Sequence, residues 1–304
     1  MTHLSALAIL PKFLWKHIAV YLSLRDIGVN RSIAGFKTVF DDDYCKQRLL
    51  SDTTEDIIVV KTKSNNNDNF WSYALVCHQK YNCLPDLFRI IGQTKFRKFT
   101  YITVFMKAGK YTIEYNIDLY SFHNNKCSLS IIGSTSDSTI IIGQKCVTWR
   151  IQVPRCISFE NIIFDTDCRV QGMTKKGFTT LTSITNCKFT NWLYIYIYDI
   201  QKLSITNCEF NRPIIMDTIA QSFVTQCTFN IKSEVTLNNV SIDFNNNIVI
   251  PKQILYIGQL VNNTIIIRNN AVSDCVTCIR FGNYAHPTKN DHILIRNNHL
   301  ITKN

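Results

Sequence analysis

A chain of 304 residues with 46% hydrophobic content can bury one elongated core or two compact ones. Its 33 basic and 22 acidic residues leave a net charge of +11, but the excess divides into +5 through Lys98 (14 against 9) and +6 beyond it (19 against 13), without the basic tail or stripe that a nucleic-acid groove needs. Twelve cysteines in a long chain without a secretory signal read as buried thiols rather than a disulfide framework.

The first element is the segment "ILPKFLWKHIAVYLSLRDI" (9–27). Pro11, Lys12, Lys16 and His17 interrupt its apolar run, and only His3 stands in the first ten residues, so it lacks the charged leader and unbroken core of a signal peptide. No other stretch reaches the eighteen uncharged apolar residues of a membrane span. A soluble, intracellular protein is expected. Leu10, Leu14, Ile18 and Leu22 recur every four residues on one face of a helix that Pro11 starts. Ser23 and Asp26 make a capping start for a second helix, and "DDDYCKQRLL" (41–50) caps a third.

Leu10-Pro11, Ile18, "YLSLRDI" (21–27), Asn30 and Tyr44 together resemble the F-box. The resemblance departs after Arg31, where the family's Val-Cys-x-x-Trp region reads "SIAGFKTVF" (32–40). It implies a trihelical module over 1–50 that docks onto the Skp-type adaptor of a cullin–RING ubiquitin ligase. Leu10, Pro11, Ile18, Tyr21, Leu22 and Asp26 occupy the matching adaptor-contact positions, with Leu14 on the same helical face. The competing reading makes these helices a lid on the rest of the fold. Residues 51–100 form a connector, in which "NFWSYALVCHQKYNCLPDLFRIIGQ" (69–93) offers another cap for an exposed β edge.

From residue 101 the chain repeats. The segments "FENIIF", "ITNCKF", "ITNCEF", "VTQCTF", "FNNNIV", "IRNNAV" and "IRNNHL" align on Asn161, Asn186, Asn207, Gln226, Asn246, Asn269 and Asn297, in steps of 25, 21, 19, 20, 23 and 28 residues. Each step is one turn of a solenoid. The apolar residues two before the Asn, from Phe159 to Ile295, and three after it, from Phe164 to Leu300, are expected inside. Those just before it, from Glu160 to Arg296, are expected outside. The Asn suits a left-handed bend, with its amide free to bond to the copies above and below. Cys187, Cys208 and Cys227 follow it as a stacked thiol column.

Short strands and steps near twenty residues predict a mainly β fold, a right-handed parallel β-helix over 101–304. The segments "VFMKAGKYTI" (104–113) and "SLSIIGSTSDSTIIIG" (128–143) resemble the first coils of pectin-lyase-like β-helix proteins. That likeness implies fold and not activity. A second, shorter one joins "RNNAVSDCVTCIRF" (268–281) and "HILIRNNHL" (292–300) to the adenoviral large early T antigen and its β-helix capsid relatives. It implies a viral protein acting in the host cytoplasm or nucleus.

Catalysis by a β-helix needs carboxylates gathered on one face. The only close pair in the coils is Asp165 and Asp167, and no aligned position of a later coil adds a third. Cys275 and Cys278 form a lone C-x-x-C without the second pair of a zinc site. No cofactor or metal is expected. In "NWLYIYIYDI" (191–200), Leu193, Ile195 and Ile197 alternate with Trp192, Tyr194, Tyr196 and Tyr198, which places four aromatics in an outward row suited to a protein partner. Together with these residues, the F-box resemblance implies a non-enzymatic ligase receptor that recruits an unknown target, as monomer or oligomer. The alternative is a structural capsid or attachment protein, with a polysaccharide lyase or hydrolase behind it.

Overall fold

The computed structural model describes the strands Ile57–Thr62 and Leu75–Val76 and most of 101–301, leaving out the segments 114–116, 119–127, 136–137, 144–146, 152–155, 174–180, 201, 231–233, 251–252, 260–262, 274–276 and 283–289. The helices expected over 1–50 lie outside the described residues.

Alternating apolar and polar residues build strands that bury every second side chain, and the chain coils them into a rod with three faces. The first face holds nine strands, from Tyr101–Met106 through Lys202–Thr206 to His292–Arg296. The second holds nine short ones, from Gly109–Ile113 to His299–Ile301. The third runs from Ile117–Asp118 through Cys168–Met173 and Leu193–Ile200 to Thr277–Phe281. Successive strands pair in parallel on every face. The protein is therefore mainly β, a parallel β-helix. Eight steps between nine rungs make it about 38 Å long at ~4.8 Å each.

The repeat reads correctly at its bend. Asn161, Asn186, Asn207, Gln226, Asn246, Asn269 and Asn297 all have φ between 52° and 57°, the left-handed region that an Asn tolerates. Gly133 precedes them in the same column because a Cβ there would lie 2.1 Å from the carbonyl oxygen of Asn161. Three residues on, Phe164, Phe189, Phe210 and Phe229 stack inside the rod with ring centroids 4.9, 5.2 and 5.1 Å apart. Two residues before the bend, Phe159, Ile184, Ile205, Val224, Phe244 and Ile267 are buried as expected. Ile295 departs from that column. It is 55% exposed, because no strand among the described residues pairs beyond His292–Arg296.

Two further differences have physical causes. Ile214–Thr225 and Val235–Asn245 run unbroken round a corner from the third face into the first, merging the two into one 17-stranded sheet. Thr218 and Asn239 make that corner, with φ of 55° and 53°. At the opposite end, Ile57–Thr62 pairs antiparallel with Tyr101–Met106 and covers the edge of the first rung. Leu75–Val76, the described part of 69–93, pairs with the far side of that strand.

The amide ladder runs one residue later than expected. Asn247, Asn270 and Asn298 continue the column of Cys187, Cys208 and Cys227. Asn247 and Asn270 are 1% exposed, a burial tolerated because their amides replace backbone partners. The Asn247 Nδ2 donates to the Val224 carbonyl at 2.9 Å, and its Oδ1 accepts the Cys227 N–H at 2.9 Å. Asn270 and Asn298 repeat the first contact on Phe244 and Ile267. The thiols lie within reach of the equivalent carbonyls, Cys208 Sγ 3.5 Å from Ile184 and Cys227 Sγ 3.7 Å from Ile205, and 3.3 Å from the Thr206 and Thr225 carbonyls of their own coils. A Cys227→Asn substitution should therefore extend the ladder by one rung. Thermal unfolding followed by circular dichroism is expected to show an unchanged or higher midpoint, while a drop of more than a few degrees would contradict the equivalence.

Candidate docking face

The third face carries the aromatic row. In Leu193–Ile200, Leu193 and Ile195 are buried, and the outward Trp192 and Tyr194 stand half-buried on the surface. Their rings stack at 5.7 Å and 9°. The backbone N–H of Trp192 donates to Asp167 Oδ1 at 3.2 Å, which ties this coil to the one before it. The side chains of Tyr196 and Tyr198 lie outside the described residues.

Parallel register extends this surface along the rod rather than across it. Arg169, Tyr194, Ile215, Thr236, Tyr256 and Arg280 are partners in successive strands and form one outward line. The Arg169 guanidinium lies over the Tyr194 ring, 5.4 Å from its centroid. At the other end, a Cβ on Gly282 would lie 2.5 Å from Tyr256 Oη, so the absence of a side chain there makes room for the tyrosine. Sequence reasoning missed Arg169, Tyr256 and Arg280. The signal was present in the apolar-x-apolar triplets 168–170, 193–195, 214–216, 235–237, 255–257 and 279–281, whose middle residues are this line.

The carboxylates of the coils do structural work. Asp165 accepts the Thr190 hydroxyl at 2.5 Å, Glu209 pairs with Lys188 at 2.9 Å, and Asp243 holds Arg268 through contacts of 2.6 and 3.1 Å. The hydrogen bonds and charge of Asp243 raise the Arg268 pKa. Among the described residues no three metal-ligating side chains converge. Burial, together with the Cys208 thiol, pushes Cys187 well above its ordinary value; the hydrogen bond to Cys208, then burial, pushes Cys227 up. Burial acts the same way on Cys208, but the thiols above and below it outweigh that and draw its value down. The side chains of Cys275 and Cys278 lie outside the described ones, as do Leu10, Pro11, Leu14, Ile18, Tyr21, Leu22 and Asp26.

Along the bend column run two adjoining open depressions of about 350 and 540 Å³, which share Asn186 and Lys188. Their walls carry amides and hydroxyls from Asn161, Asn207, Gln226, Ser134 and Thr135, and the first also carries the Lys188–Glu209 ion pair. No known protein family, curated protein or solved structure matches the chain.

Proposed function

We propose that this chain is the substrate-receptor subunit of a cullin–RING ubiquitin ligase. Its N-terminal F-box-like segment engages a Skp-type adaptor through Leu10, Pro11, Leu14, Ile18, Tyr21, Leu22 and Asp26, and its right-handed β-helix recruits the target protein. The observation that carries the recruiting role is the stacked Trp192–Tyr194 pair with Arg169 beside it, on a face whose register is fixed by continuous strand pairing. Trp, Tyr and Arg are the residue types that anchor protein interfaces, and a rigid wall loses little entropy when a partner docks. Asp165 and Asp167 bond to the next coil at Thr190 and Trp192, and no carboxylate of a later coil aligns with them, which favours recruitment over sugar cleavage. The adaptor role rests on the F-box resemblance of residues 10–44.

Affinity purification of the full chain from host cells tests this reading. Adaptor and cullin peptides are expected in the eluate. A wild-type protein that recovers neither would hand the chain to the structural reading, as a capsid or attachment β-helix.

A further inference from the structure

We infer that the third face binds an extended acidic peptide laid along the rod axis, with its ends held by Arg169 and Arg280 and its body passing over Tyr194 and Tyr256. This deepens the receptor reading of the rod and rests on it. The line Arg169–Tyr194–Ile215–Thr236–Tyr256–Arg280 is close to a palindrome, with a cation at each end, an aromatic ring inside each cation, and an apolar and a small polar residue in the middle. Both arginines are exposed, and the four residues between them are half-buried. Five steps of ~4.8 Å separate the ends by about 24 Å, the length of roughly seven residues of extended chain. The ligand that fits has acidic groups about seven residues apart and apolar or aromatic residues between them.

The charge pattern selects a peptide over the alternatives. A nucleic acid carries a phosphate about every 3.4 Å of strand, and the middle of this line offers no cation to meet those charges. A neutral glycan would stack on the tyrosines but gain nothing from the arginines at the ends. Among the described residues the flanking rows carry three carboxylates, Asp167, Asp217 and Glu234, of which Asp167 accepts the Trp192 N–H and Asp217 the Thr218 hydroxyl at 2.7 Å, so the peptide's acidic groups belong at the two arginine ends and not over the middle. Tyr256 has room to lie flat because its neighbours are Gly258 and Gly282, so an extended chain can pass over it.

The test uses the full chain and fluorescein-labelled synthetic peptides in which two Asp-Glu pairs flank a Leu/Ala centre of two to twelve residues. Anisotropy titrations are expected to show the tightest binding when the acidic pairs stand about seven residues apart. The double variant Arg169→Glu/Arg280→Glu should weaken that peptide by about tenfold or more. Lys202→Glu/Arg212→Glu makes the same change in net charge elsewhere, and should leave binding within about twofold if local complementarity rather than total charge decides. Both pairs are exposed, and circular dichroism is expected to show unchanged folding.

Affinity that ignores spacing, equal losses in the two double variants, or tighter and arginine-dependent binding of oligothymidylate would each overturn the inference. Adaptor capture measured on the same proteins keeps the two claims apart. Capture without spacing-dependent peptide binding ends the peptide line and leaves the ligase reading. Arginine-dependent peptide binding without capture supports the line and ends the ligase reading.

Discussion

A Phe210→Asp variant is expected not to fold into the rod. Phe210 is 0% exposed, and its ring sits between Phe189 and Phe229 at 5.2 and 5.1 Å in a stack that spans four coils. Removing a buried phenylalanine costs about 3–5 kcal/mol through lost burial and the cavity left behind. An unpaired carboxylate in the same place adds several more, whether it stays charged or takes up a proton. The sum is comparable to the whole stability of a typical domain, about 5–15 kcal/mol. Circular dichroism should show loss of the cooperative melt, whereas Phe210→Leu should keep it with a lower midpoint. A Phe210→Asp protein that melts like the wild type would refute the alignment of the repeats.

Asn247→Leu is expected to have the second-largest effect. Leucine is close in size, so packing changes little, but the substitution removes the acceptor of the Cys227 N–H and the donor to the Val224 carbonyl. It also removes one of the two bonds from Asn247 to Asn270 Oδ1. The Cys227 N–H is left buried without a partner at a cost of about 1–3 kcal/mol, while the Val224 carbonyl keeps its place in the parallel ladder. The urea midpoint should fall by a corresponding amount with an unchanged slope, because the area exposed on unfolding is the same. An unchanged midpoint would mean that the ladder contributes nothing to the fold.

These two residues mark what the sequence makes legible. Phe210 was readable because two signals coincide, an Asn-type residue at the bend and an apolar residue three places later, and both recur with each coil. Asn247 was passed over because it aligns with cysteines, and the two residue types look unrelated. What they share is a donor within reach of the carbonyl three residues before the preceding member of the column, a relation of space and not of residue type. The outward line on the third face was hidden for another reason. Coil lengths between 19 and 28 residues break the register beyond the bend, so Trp192 and Tyr194 were visible as an alternating strand while Arg169 and Arg280 were not. The corner at Thr218 and Asn239 left no repeat signal, because the described coils show it in only two places. The N-terminal helices are legible from a four-residue apolar spacing and a family likeness.

The measurement that bears most directly on the receptor reading is made on one variant, Leu10→Ala/Pro11→Ala. An interface anchor truncated to alanine commonly costs about 2 kcal/mol or more, roughly a thirtyfold loss of affinity. Titration with purified Skp-type adaptor is expected to show that loss while the melting midpoint of the same protein stays at the wild-type value, because these side chains wait for a partner. A lowered midpoint with adaptor affinity unaltered, or a wild-type chain that does not bind the adaptor at all, would contradict the account and make the helix a lid on the rod.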